Sequence, residues 1–124
     1  MLSYFIKVSN QIEFIHQYPV APEEVSFLRY PHRHILHIYT KIQVYNDDRE
    51  LEFIMVKRKI DSFLDSLNLT ENITNISCEQ LGAKIIDFIR SNYCIDVDRN
   101  IEVTVSEDDE NSAVVCYTKE NING

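Results

Sequence analysis

The sequence contains very little glycine and proline: two glycines and three prolines in 124 residues. These residues mark flexible linkers and breaks between domains, so we predict a single domain over residues 1–124. No apolar run is long enough to span a membrane, and the residues from Met1 to Lys7 lack the basic, apolar and small-residue order of a signal peptide. We therefore expect no membrane partner.

Basic residues are fewer than acidic ones, 12 against 20, and the formal net charge is −8. Nucleic acid binding requires a basic surface, so this balance argues against nucleic acid as the main partner. A small-molecule ligand that carries phosphate stays compatible with the composition, because a few local Arg or Lys side chains are enough to bind it.

The sequence contains only three cysteines, and their spacing matches no metal-binding or redox motif. Cys78, Cys94 and Cys116 form an odd set without a Cys-x-x-Cys pair, which predicts three reduced thiols in the cytoplasm. The start of a predicted helix at Cys78 would lower the pKa of its thiol, yet we expect a buried and inert side chain there.

Three of the four histidines lie in one short stretch, at His32, His34 and His37. The stretch reads as a strand over residues 32–46, and alternation places His32 and His34 on one side of it. Such a pair is half of a preformed metal site. The alternative is that both are partly buried strand residues bonded to backbone or carboxylate groups. His37 faces the other way, at the surface or a subunit interface.

The remaining patterns predict an α+β domain. Residues 4–16 indicate a strand interrupted near Ser9-Asn10, and apolar residues at helical spacing indicate a helix from Phe53. Ser77 and Gln80 resemble a capping box at the start of a second helix that runs to about residue 93. Residues 101–105 and 113–117 form a hairpin. We expect an antiparallel sheet in the order β-β-α-α-β-β, with two helices on one face.

Several short motifs occur in an order that is similar to one known family. They are Ile12-Glu13-Phe14-Ile15-His16, His32-Arg33-His34, Leu64-Asp65-Ser66-Leu67-Asn68, Ile76-Ser77-Cys78-Glu79-Gln80-Leu81 and Val105-Ser106-Glu107. Together they resemble the 6-pyruvoyl-tetrahydropterin synthase family, which includes the 6-carboxy-tetrahydropterin synthases of queuosine biosynthesis. The resemblance implies the T-fold, in which trimers stack into hexamers and close their sheets into a barrel.

The resemblance also implies the site residues. His16, His32 and His34 would hold Zn²⁺, and Glu107 would bind the pterin ring, although an acid in such a turn is commonly just solvated. Asp65 is what remains of the family's Cys-Asp-His proton-transfer group. Leu28 stands where the family has its catalytic Cys, Ser66 replaces its catalytic His, and Arg33 replaces the Gly between the zinc histidines.

Two classes of function follow, and the sequence leaves both open. The first is a divergent zinc enzyme that acts on a pterin or purine-like molecule, with water, Asp65 or His37 replacing the lost groups. The second is a non-catalytic homo-oligomer that binds or sequesters a nucleotide-like small molecule between its subunits. A scaffold without any ligand is a third possibility.

Overall fold

The computed structural model describes residues 1–120, and the α+β class is confirmed. No helix in this range is long and apolar enough to cross a membrane. Along the chain the elements are β1 (Tyr4–His16), a 3₁₀ segment (Glu23–Arg29), β2 (His32–Val44), α1 (Phe53–Ser66), β3 (Ile73–Thr74), α2 (Cys78–Tyr93), β4 (Ile101–Glu107) and β5 (Asn111–Tyr117).

The strands form one five-stranded sheet in the order β3-β1-β2-β4-β5. Every neighbouring pair is antiparallel except β3, which runs parallel to the end of β1. The expectation of a wholly antiparallel sheet is therefore wrong, and the sheet is mixed. The physical reason is that the connection after α1 buries Leu69 and forms hydrogen bonds with the end of β1. Ile15 N–H donates to Leu69 O (3.1 Å), and Gln17 N–H, just after β1, donates to Thr74 O (2.9 Å).

Both α-helices pack on the same face of the sheet and share one apolar core with it. The strands contribute alternate residues to this core, as period-two patterning requires, and each helix contributes one stripe at helical spacing. Fully buried members include Leu36, Ile38 and Val103 from the sheet, Val56, Ile60 and Leu64 from α1, and Leu81, Ile85 and Ile89 from α2.

The predicted capping box at the start of α2 is confirmed. Gln80 N–H donates to Ser77 Oγ (3.0 Å), and Ser77 N–H donates to Gln80 Oε1 (2.9 Å). These two bonds satisfy donors that the first helical turn leaves without partners. They fix the position of Cys78, the first residue of the helix, beside the end of β4.

Strand β1 is continuous, so the predicted interruption at Ser9-Asn10 is wrong. The side chain of Asn10 is buried and finds partners on α1, where its Nδ2 donates to Asp61 Oδ1 (2.6 Å) and to Lys57 O (3.1 Å). A polar residue tolerates such burial when it is hydrogen-bonded, so the amide attaches the helix to the strand and does not end the strand.

A buried arginine joins three parts of the chain. Arg99 donates through Nε to Tyr93 O (2.8 Å) and through one guanidinium nitrogen to Gln43 O (3.0 Å), and it forms an ion pair with Glu50 (2.5 Å). Partial burial raises the pKa of the Glu50 carboxyl, but hydrogen bonds from Tyr45 N–H and Arg99 outweigh it and hold that pKa below its usual value. The sequence patterns did not predict this cluster.

Candidate metal-binding site

The register between β1 and β2 brings three histidines together. His16 lies directly opposite His32, and Phe14 lies opposite His34. Residues directly opposite on one face of an antiparallel pair approach closely, so the three imidazoles meet at one end of the sheet. Ring centroids are 5.2 Å apart for His16 and His32, and 4.8 Å apart for His32 and His34.

Hydrogen bonds fix the tautomers of two of these rings. His32 Nδ1 lies 2.8 Å from the carbonyl oxygen of Tyr30, and His34 Nδ1 lies 2.6 Å from Asp108 Oδ2. Both partners are acceptors, so each Nδ1 carries a hydrogen, and Nε2 is the ring nitrogen that is left for a ligand. Metal-ligating histidines are oriented in the same way. Within residues 1–120, His34 Nε2 is buried and has no hydrogen-bond partner.

The spacing of the nitrogen atoms is compatible with a shared ion. His16 Nδ1 and His32 Nε2 are 3.4 Å apart, longer than a good hydrogen bond. Zn–N distances of about 2.0–2.1 Å in a tetrahedral site place two nitrogen ligands about 3.3–3.4 Å apart. In the part of the chain described, no group of three or more His, Cys, Asp or Glu side chains is placed to hold a metal ion without some movement. The histidines are therefore an oriented cluster with one pair at ligand spacing.

The surroundings of His16 favour coordination of a metal ion over protonation of the ring. Burial lowers the pKa of His16 below its usual value, and the neighbouring His32 and His34 lower it further, against an opposing effect of Glu107. A neutral His16 presents a lone pair, as metal coordination requires. The ring stacks on buried Phe14 at a centroid distance of 5.3 Å, and Phe14 lies 6.0 Å from His34, so one side of the cluster is apolar.

The turn after β4 supplies the partner of His34. Asp108 has a left-handed backbone (φ 56°), a conformation that Asp tolerates better than most residues. It exchanges bonds with Ile35, because Asp108 N–H donates to Ile35 O (2.8 Å) and Ile35 N–H donates to Asp108 Oδ1 (2.9 Å). The bonds from Ile35 N–H and His34 lower the pKa of Asp108, so it is a carboxylate at neutral pH.

Glu107 lies between the histidines and the start of α2. Its Oε2 is 3.8 Å from His34 Nε2, and its Oε1 lies 3.7 Å from the Sγ of Cys78, which donates to it. Burial raises the pKa of the Cys78 thiol to about 12, and the carboxylate of Glu107 adds to the effect. The expectation of a buried and unreactive thiol at Cys78 agrees with this environment.

The other two predicted site residues lie apart from the histidines. Asp65 is exposed near the end of α1, and its side chain makes no hydrogen bond or ion pair within residues 1–120. His37 projects from the opposite face of β2, where its Nδ1 lies 3.0 Å from Gln11 Nε2 and 3.5 Å from Asp109 Oδ2. Within one chain, neither residue reaches the cluster.

A surface pocket of about 610 Å³ lies elsewhere, at the start of α1. Its lining includes none of the predicted site residues. Two of its acidic side chains already have structural roles: Glu52 accepts from Met55 N–H (2.9 Å) at the helix start, and Glu50 pairs with Arg99. We therefore assign the chemistry to the histidines, where oriented lone pairs are present.

Sequence reasoning identified the three histidines and Glu107 but not Asp108. The acidic turn looked like a solvated hairpin end, and the only signal was its place immediately after Glu107. No protein-family model matches this chain, and no curated protein is significantly similar to it.

Proposed function

We propose that the chain binds one Zn²⁺ through His16, His32 and His34. The observation that supports this most strongly is that hydrogen bonds to Tyr30 O and Asp108 occupy Nδ1 of His32 and His34 and leave Nε2 for a metal ion, with His32 Nε2 3.4 Å from His16 Nδ1. On this basis the chain is a divergent member of the 6-pyruvoyl-tetrahydropterin synthase family with a T-fold, and it acts on a pterin or purine-like small molecule.

In this proposal each residue has a defined task. Zn²⁺, when bound, polarises a substrate hydroxyl or carbonyl and lowers the pKa of bound water. Asp108 and the Tyr30 carbonyl hold the His34 and His32 rings in the ligating tautomer. Phe14 shields one side of the rings from water. Glu107 is the carboxylate beside them that is free to accept a further hydrogen bond or a positive charge.

The second candidate is a protein that binds the same class of molecule without converting it. The separation of Asp65 and His37 from the histidines favours this reading, because proton transfer needs an acid or base within hydrogen-bond reach. Under the enzymatic reading these groups would have to come from a neighbouring subunit.

The enzymatic reading therefore depends on assembly, and the exposed edges of the sheet support it. Among residues 1–120, strand β5 is paired on one side only, and most of β1 has no partner beyond β2, since β3 pairs with only two of its residues. Closing such edges between subunits removes unpaired backbone groups. We propose a homo-oligomer, a trimer or hexamer. A monomer in light scattering at micromolar concentration would contradict it.

We also propose a cytoplasmic location. Cys78, Cys94 and Cys116 are all unpaired thiols in the structure, which is the usual state in a reducing compartment. Labelling of the thiols in freshly lysed cells would test it, because disulfide-linked cysteines would not react.

The first experiment measures metal content in protein purified without a chelator. We expect close to one zinc per chain, and its loss in a His32→Ala/His34→Ala variant. A His37→Ala variant is the matched control, because it removes a histidine from the same strand on the opposite face. Folded protein without metal would exclude the zinc proposal.

A second assay separates the two candidates once zinc is found. The zinc-loaded oligomer is incubated with a dihydroneopterin-type substrate, and the small molecules are analysed. Product formation supports the enzyme. Retention of the unchanged molecule with the protein supports binding without turnover.

A further inference from the structure

We infer that Glu107 is a fourth protein ligand, so that the metal site is closed by a carboxylate when no substrate is bound. This inference rests on the proposed zinc site and goes beyond it. The resemblance assigns Glu107 to the pterin ring. The structure instead places its carboxylate at the histidines, where it can bind the metal directly.

The backbone of β4 directs Glu107 to this position. Val103, Val105 and Glu107 alternate onto the face of the sheet that carries the core, and Glu107 pairs with Leu36 at the end of the ladder. His34 lies two residues before Leu36 on β2, on the same face. The last residue of β4 therefore projects towards the rings, and the side chain of Glu107 remains partly buried beside them.

Two of the donor distances are close to those between ligands of a zinc ion. Glu107 Oε2 lies 3.8 Å from His34 Nε2, whose buried lone pair has no other partner among residues 1–120. Two ligands at about 2.0–2.2 Å from a tetrahedral zinc lie about 3.3–3.6 Å apart, so a shift of a few tenths of an ångström is enough. A carboxylate and an imidazole nitrogen this close together are stabilised by a proton or a metal ion between them, and a metal ion also uses the nitrogen atoms of His16 and His32.

Cys78 keeps the carboxylate in place. The Cys78 thiol donates to the second oxygen, Glu107 Oε1, at 3.7 Å, leaving Oε2 on the side of His34. The rigid start of α2 positions that thiol, since Cys78 follows the capping residue directly. Cys78 is thus a positioning residue in this arrangement, and the ligand set is three nitrogen atoms and one oxygen.

The closed site has a functional consequence. A Glu107 that ligates the metal cannot bind a pterin ring at the same time, so a substrate must displace the carboxylate to reach the ion. Catalytic zinc sites keep an open or water-filled position, and sites filled by four protein ligands are structural. The fate of Glu107 therefore determines which of the two proposed functions the site serves.

The test uses the full-length protein, stripped of metal and reloaded. Zinc affinity is measured by competition with a chromophoric chelator, and Co²⁺ replaces zinc for absorption spectra. The variants are Glu107→Gln, which keeps the shape and removes the charge, and Glu110→Gln, which removes an exposed charge from the same turn. Thermal unfolding followed by circular dichroism establishes that each variant is folded.

We expect Glu107→Gln to weaken zinc binding at least tenfold while Glu110→Gln changes it less than twofold. The Co²⁺ bands should change in position and intensity in Glu107→Gln, because water or a neutral amide oxygen replaces the carboxylate, and the unsubstituted protein should show no thiolate charge-transfer band.

Two results would overturn the inference while leaving the zinc site intact. The first is equal zinc affinity and an unchanged Co²⁺ spectrum in Glu107→Gln. The second is a thiolate band that disappears in Cys78→Ser, because the fourth ligand would then be sulfur. An unsubstituted protein that binds neither ion excludes the proposed zinc site itself, and the inference falls with it.

Discussion

At Gly82, helix α2 lies close against the sheet, and replacing this glycine with alanine gives a sharp test of the packing. A Cβ at this position would lie 2.7 Å from Val115 Cγ2, 3.3 Å from Val115 Cβ and 3.7 Å from Val105 Cγ2. The most favourable separation of two carbon atoms is about 3.5–4.0 Å, so the first contact is too short by about 1 Å. Valine has a stiff side chain and cannot simply rotate away.

Two opposing effects determine the outcome of Gly82→Ala. Alanine stabilises a helix interior by about 1 kcal/mol relative to glycine, while an extra methyl group in a packed core costs about 1–3 kcal/mol. We expect a net loss of about 1 kcal/mol in the free energy of unfolding, which for a domain of this size lowers Tm by roughly 4 °C. Urea and thermal unfolding would measure both quantities.

Two further variants isolate the steric effect. Ala83→Gly, at the exposed neighbouring position of the same helix, measures the backbone preference alone and should cost about 1 kcal/mol. Val115→Ala removes the contacted methyl groups, so the double variant with Gly82→Ala should show a favourable coupling of about 1–2 kcal/mol. The close approach of α2 to β5 would be refuted if Gly82→Ala raised the free energy of unfolding by as much as Ala83→Gly lowers it, with no coupling to Val115.

Three other predictions address the buried charges and the histidines. Arg99→Met should lower the free energy of unfolding by about 1–3 kcal/mol, because it leaves the Glu50 carboxylate and two backbone carbonyl groups without their donor; a loss under about 0.5 kcal/mol would contradict this role. The pKa of Glu50 is lower in the folded protein than its ordinary value of 4.5, so its contribution to stability is present above that pH and lost as the pH falls through the folded pKa. Unfolding at a series of acidic pH values should therefore show a smaller acid-side loss in Glu50→Gln, and equal losses would refute the assignment. Asp108→Asn should weaken zinc binding about 10–100-fold without unfolding the protein, since Asn tolerates the left-handed backbone, whereas Asp109→Asn should leave the affinity unchanged. Equal affinities in the two variants would exclude Asp108 as the residue that orients His34.

Local patterns account for most of the elements. The amphipathic stripe that begins at Phe53, the capping box at Ser77 and the hairpin strands after Ile101 each depend on residues close together in the chain, and the structure has all of them. The prediction of secondary structure from sequence failed where contacts between distant parts of the chain determine the local structure. Asn10 lies within a strand because α1, far along the chain, supplies its hydrogen-bond partners. The connection after α1 pairs with β1 for the same kind of reason.

The candidate site, too, was predictable from the sequence only in part. Alternation alone placed His32 and His34 on one side of β2, because successive side chains of a strand point to opposite faces. The tertiary structure decided the rest. The strand register put His16 opposite His32, and the return of β4 beside β2 brought Asp108 to His34 across 74 residues of sequence. A sequence determines which faces its segments present, but the orientation of a ring nitrogen depends on a partner that only the folded chain brings within hydrogen-bond distance.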